Sequence, residues 1–205
     1  MTALLWLSLS SVFGQTLYYQ VYKGKKSIGQ MTIERSQNMA GSVVSYDIST
    51  EVRYRVILEL LVNYSLNEVF ENGILTKGQG SSTINGSIQN AYEIQRNGNS
   101  YELVLNNTHS VIDDHVITLS ATTIYFNEPK NNQRLFSQHF GRYLKLEEVS
   151  AHYYRLLSSA GENFYRYVNG ICTEITVIRD FGTLNFNLKP ESYVIVNTPD
   201  SLRNK

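Results

Sequence analysis

From residue 44 to residue 66 one parity of the chain stays apolar almost without a break, and that pattern limits what the chain can become. Val44, Tyr46, Ile48, Val52, Tyr54, Val56, Leu58, Leu60, Val62, Tyr64 and Leu66 share the even positions. Ser45, Asp47, Ser49, Glu51, Arg53 and Arg55 hold the odd ones. Successive side chains of a strand point to opposite faces, so this stretch reads as β-structure with one covered and one wetted face. A single straight strand of that length would reach about 75 Å, beyond the span of one domain. The chain must therefore bend, and "ILELL" (residues 57–61), apolar on both parities, marks the place.

Turn signals recur around this segment. Asn72-Gly73, Asn85-Gly86, Asn97-Gly98 and Asn169-Gly170 are Asn-Gly pairs, the strongest short hairpin signal, because a type I′ turn needs positive φ at both central residues. "LYYQVYKGKKSIGQMTIER" (residues 17–35) reads as two strands around a lysine-rich turn, and Gly78 and Gly80 suit a strand that curls. Ser120 offers an N-cap for a brief helix through Phe126, and an Asn-rich loop follows Pro129. The sum is an all-β chain of about eleven or twelve antiparallel strands. It reads as a single meander curled into a closed or half-open barrel, with at most one short helix. No linker divides it: residues 15–189 read as one barrel-like domain and 190–205 as an extended tail.

Lys+Arg and Asp+Glu both number 18, so the chain lacks the basic excess of a nucleic-acid binder. The start, "MTALLWLSLSSVFGQ", is apolar over about a dozen residues, short of the roughly 20 that cross a bilayer as a helix. Residues 1–14 read as a signal peptide cleaved between Gly14 and Gln15, although no Lys or Arg precedes the apolar run. Read otherwise, the start codon lies further upstream or the segment is structural. No transmembrane segment is expected. The single Cys172 forms no internal disulfide and suits a small core position.

The opening "YxVYKGKKSIGxM", the "LNEVFENGIL" strand and turn, "LFSQHFGRYLKL" and the closing "FYRYVNGICTEITVIRD" resemble one family, catalogued as domain of unknown function number 6134. The chain is more distantly similar to another exported family of this kind, number 3108. The resemblance runs from about Leu17 to about Lys189. It implies an exported antiparallel β protein of a Bacteroidetes bacterium, placed in the periplasm or at the cell surface of that Gram-negative cell. It carries no activity.

The sequence holds no motif of known chemistry. The G-x-S-x-G elbow of an α/β-hydrolase is missing, and "GQGSST" and "KGKKS" lack the remaining glycines of phosphate loops. His109, His115, His139 and His152 stand outside metal-binding spacings, and Asp113, Asp114 and His115 alternate faces if the segment is a strand. The neighbours Glu147 and Glu148 point apart for the same reason. No catalytic residue, metal ligand or cofactor is assigned. Tyrosine is abundant, and Tyr18, Tyr19, Tyr22, Tyr153, Tyr154, Tyr165 and Tyr167 form the densest set, candidates to line a ligand cavity as well as to pack a sheet. Two functions follow. A non-catalytic carrier would enclose a small apolar ligand in its curled sheet. A cell-envelope structural or assembly factor would instead meet another protein through an edge or a tyrosine-rich face. The carrier is favoured.

Overall fold

The computed structural model describes residues 13–55, 59–113, 116–131, 133–192 and 195–196. The N-terminal half forms β1 (Phe13–Lys23), β2 (Lys26–Gln37), β3 (Val43–Arg55), β4 (Glu59–Glu71), β5 (Ile74–Ile84), β6 (Ser87–Asn97), β7 (Ser100–Leu105) and β8 (Thr108–Ile112). The C-terminal half forms β9 (Arg134–Ser137), β10 (Arg142–Ser150), β11 (Tyr153–Ser158), β12 (Gly161–Val168), β13 (Ile171–Arg179), β14 (Gly182–Leu188) and β15 (Ile195–Val196). The sheet runs β8 to β1 in steps of one, then crosses to β14 and runs back to β9. Two antiparallel meanders are thus joined by their outermost strands in sequence, and β8 and β9 are left as the two edges of a half-open barrel.

The apolar even parity of residues 44–66 bends where the pattern predicted. β3 and β4 pair antiparallel from Val43 opposite Glu71 to Arg55 opposite Glu59, so even residues face even residues and the inward face continues through the reversal. The tip, residues 56–58, lies outside the described residues. All four Asn-Gly pairs sit between consecutive strands. At three of them both residues have positive φ, for example Asn72 at 51° and Gly73 at 77°, as a type I′ turn requires.

The described strands number fifteen, more than the eleven or twelve expected, because other turns are equally tight. Asn106 and Asn107, with φ of 48° and 66°, make one that carries no glycine. The single short helix expected over residues 120–126 is a 3₁₀ turn at Thr123–Tyr125, and two more such turns lie at Gln138–Phe140 and Pro190–Ser192. Ser120 does not cap this turn: the N-cap position is Thr122, without a side-chain capping bond, and the Ser120 N–H donates to Thr123 Oγ1, 3.1 Å away.

Five strand pairs shift register through a bulge, among them β1–β2, β4–β5 and β12–β13, and each bulge tightens the local twist. β1 is held on both sides, by β2 and by β14, and Ser192 and β15 also reach it. Ser192 Oγ accepts from the Tyr18 N–H and donates to the Tyr18 carbonyl, and Val196 pairs with Gly14. Gly14 and Gln15, which flank the expected cleavage point, lie in β1; residues 1–12 lie outside the described residues.

The barrel has two unlike ends. At one end lie the β1–β2, β5–β6, β11–β12 and β13–β14 turns, and there the Tyr54 ring stacks on Phe181 beneath the Lys23 ammonium. Residues 116–131, between β8 and β9, cross the other end as a strap. Leu75 N–H donates to the Ile117 carbonyl (2.9 Å) and Phe136 N–H to the Leu119 carbonyl (2.9 Å), so the strap ties β5 to β9 across the open side. Ile117 and Ile124 are fully buried, the Phe126 ring packs on Tyr46, and the Tyr125 ring meets Tyr19 edge-on. This half of the barrel is solid. Among the described residues no helix is long and apolar enough to cross a membrane.

Gly29, opposite Val52 in β2–β3, sits where a side chain has no room. A Cβ there would lie 2.7 Å from Val52 Cα and closer still to the Glu51 carbonyl oxygen. Both obstacles are backbone and cannot turn aside. Gly29→Ala is expected to destabilise by about 1–3 kcal/mol, the usual scale of overpacking, read as a lower denaturation midpoint with an unchanged slope.

Candidate functional site

Above the strap the inward side chains leave a cavity of about 390 Å³. Its walls are largely apolar: Met31 and Val62 from β2 and β4, Leu135 and Leu144 from β9 and β10, and Leu156, Ile175, Val177 and Phe186 from β11, β13 and β14. These residues are there because they hold the inward parity of their strands. Ala121 and Tyr125 of the strap and Phe140 of the 3₁₀ turn before β10 also line it, with Thr50, Ser82, Ser137 and Ser158 as polar members. The volume lies within the range of small-molecule pockets.

Of the seven tyrosines expected as lining candidates, Tyr165 borders the cavity. Tyr19 is fully buried below it and donates to the Cys172 carbonyl at 2.6 Å. Tyr154 and Tyr167 pack edge to face in the solid half, where their hydroxyls donate to Glu128 and to the Ile124 carbonyl. Tyr18 is 39% exposed and Tyr22 half-buried. Tyr153 stacks on Phe164 with the Arg166 guanidinium over its ring, on the outer face. Tyr64 and Tyr125, outside that set, also line the cavity. Density in sequence selected tyrosines of both parities, whereas the cavity takes one.

Two charged residues on inward parities matter more. Glu68 occupies an inward position of β4 and is 0% exposed. The missing side chain of Gly78 gives it room, since a Cβ there would stand 3.1 Å from Glu68 Cγ. Ser120 Oγ donates to Glu68 Oε2 at 2.6 Å, and Thr122 Oγ1 donates to the same oxygen. The carboxyl thereby holds the strap from above. Oε1 has no partner, nor does the buried Tyr92 hydroxyl. Burial outweighs the two donated bonds and pushes the Glu68 pKa up to about 7.

Arg179 ends β13 on the inward parity at the cavity's turn-bearing end. Its Nη1 donates to the Ile178 and Glu162 carbonyls (2.8 and 3.2 Å) and its Nη2 to Asn163 Oδ1 (2.9 Å). Asn163 in turn donates through Nδ2 to the Tyr165 hydroxyl at 3.0 Å. Burial lowers the Arg179 pKa, and it raises that of Tyr165 to about 12. His139, at the rim, is lowered by burial and by the Arg179 charge.

His152 pairs with Glu128 at 2.9 Å, and Glu147 with Lys145 and Arg155, all at the surface. Cys172 is a free, fully buried thiol with its pKa raised by burial. Among the described residues no cluster of His, Cys, Asp and Glu could hold a metal ion; Asp114 and His115 lie outside them.

The family model described as "Domain of unknown function (DUF6134)" matches residues 19–189. Among curated proteins nothing matches. Among solved structures the chain is similar to a beta-barrel-like protein of domain of unknown function DUF1849 from Brucella abortus, in a crystal structure. The two are 9% identical with a TM-score of 0.55, over 87% of this chain and 96% of that one. At that identity the likeness concerns the fold.

Glu68 makes stability depend on pH in an unusual direction. Its pKa rises from an ordinary 4.5 to about 7 on folding, so between those values the folded state binds the extra proton. Its contribution is therefore full below about pH 4.5 and lost as pH rises through about 7. The whole swing is on the order of 3 kcal/mol. Glu68→Gln, which keeps the shape and cannot titrate, is expected to remove this fall. Urea denaturation of both proteins at pH 5 and pH 8 checks it.

Proposed function

The chain belongs to the DUF6134 family, and on that premise and its half-hollow barrel we propose that it is a non-catalytic binding or carrier protein for a small apolar ligand. The observation that carries this reading is the cavity itself. A protein interior is normally packed to the density of an organic crystal, and an unfilled apolar space forfeits contact energy on all its walls. A carrier recovers that loss each time a ligand enters. The strap supports the same reading, because it fills one half of the barrel and stops short of the other.

The proposal places the protein outside the cytoplasm, in the periplasm or at the cell surface. The apolar start of the chain, with Val12 and Gly14 at the two positions a signal peptidase inspects before Gln15, supports export. A second reading, an envelope assembly factor, draws on edge strand β8, which is exposed along most of its length and carries Val111 at 68% exposure. An open edge with an apolar outer residue suits strand addition by another protein.

A neutral apolar fluorophore, N-phenyl-1-naphthylamine, separates the two. A carrier is expected to bind it with a blue-shifted, saturable signal at one site per chain. Ala121→Phe, which pushes a ring into the cavity, should weaken binding by about ten-fold or more, equivalent to about 1.4 kcal/mol, while far-UV circular dichroism stays unchanged. Absence of saturable binding by the folded wild-type protein would remove the carrier reading.

A further inference from the structure

The cavity is apolar along its walls and positively charged at one end. Arg179 brings a full charge to that end, where burial disfavours it, and among the described residues no carboxylate lies within ion-pair distance. The nearest acidic residue along the β12 register, Glu162, is engaged by Arg155 at 3.6 Å. The Arg179 partners are two carbonyls and an amide, all neutral. They fix the plane of the guanidinium and take three of its five N–H groups, which leaves Nε–H and one Nη2–H without a bond. Asn163 ties this guanidinium to Tyr165, whose hydroxyl accepts from Asn163 and keeps its own proton to donate.

We propose that the cavity takes a single-chain amphiphile with an anionic head, a carboxylate or a phosphate, held by Arg179 and the Tyr165 hydroxyl, with its tail against Leu156, Ile175 and Phe186. This inference rests on the carrier reading and specifies its ligand. The chemistry is selective in both parts. A guanidinium held in one plane matches the two oxygens of a carboxylate or phosphate and gains most where water is partly excluded. A cation left without a counter-charge in an apolar site costs free energy that an anion would return and a neutral alcohol would not. The size agrees: about 390 Å³ holds on the order of a dozen groups, at the roughly 30 Å³ each that a water occupies in the liquid.

Competition against bound N-phenyl-1-naphthylamine tests this, with dodecanoate, dodecyl phosphate and dodecanol as ligands of one chain length. The two anions are expected to displace the probe at concentrations about ten-fold or more below that of dodecanol, a difference of about 1.4 kcal/mol or more. Arg179→Met, which keeps the apolar stem, should abolish this advantage, so that the two anions displace the probe no better than dodecanol does. Tyr165→Phe should reduce it in part. The ranking of dodecanoate against dodecyl phosphate identifies which head the site prefers.

Equal displacement by all three ligands on the wild-type protein would overturn the anionic head and leave the carrier intact. The same holds if none displaces the probe while the probe itself binds. Failure of the probe to bind removes the carrier reading, and this inference with it. The comparison on wild-type protein alone decides the question if a variant does not fold.

Discussion

The strap between β8 and β9 decides how much of the barrel is solid. A long sheet curled about one face encloses more volume than a single layer of inward side chains fills, and the ends of such a curl are open. The strap covers one end with Ile117, Ile124 and Phe126 and ties β5 to β9, two strands that no ladder joins directly. Its position is set by hydrogen bonds rather than by apolar contact alone. Tyr101 Oη accepts from the Ile117 N–H, Tyr167 Oη donates to the Ile124 carbonyl, and Glu68 holds Ser120 and Thr122. Without the two tyrosine bonds the Ile117 N–H and the Ile124 carbonyl would be buried and unpaired, which a barrel interior does not tolerate. The cavity exists because the strap stops at Ala121 and Tyr125.

Glu68 and Arg179 both occupy inward positions of the barrel, and their chemistry answers burial differently. Glu68 has a way out: a carboxyl deprived of water takes a proton and becomes neutral, and its pKa near 7 expresses this. Arg179 has none, because a guanidinium stays protonated across the range in which proteins fold. Its burial therefore persists as an unpaired charge at the cavity end, softened by carbonyl and amide partners. The same physical penalty thus gives a carboxyl that takes up a proton near the strap and a lasting cation at the far end.

Much of this architecture was legible in the sequence, and the reason is the two-residue period. The even parity of residues 44–66 states both that β3 and β4 share an inner face and that the chain reverses between them. Asn72-Gly73 and its counterparts mark hairpins because few residue pairs accept positive φ twice. Turns such as Asn106-Asn107 were hidden, since asparagine pairs appear in many contexts, and so the strand count came out low. The strap was also hidden. Its 3₁₀ turn is too short for a periodic signal, and its bonds reach strands far away in sequence, as from Ser120 to Glu68.

The candidate site shows why residue type alone misleads in a β protein. Tyr153 and Tyr154 are adjacent and chemically identical, yet one stacks outside on Phe164 and the other is buried inside on Tyr167. Abundance therefore says nothing about lining; parity does. Among the informative exceptions were single charges on apolar parities, such as Glu68 among Tyr64, Leu66 and Phe70, and Arg179 beyond Ile175 and Val177. An inward charge must be neutralised, paired or left waiting for a partner, and each outcome is a chemical statement about the interior. Parity places such a residue without a structure, whereas the neighbours that determine its fate come from distant strands. Glu68 meets the strap, and Arg179 meets the open cavity.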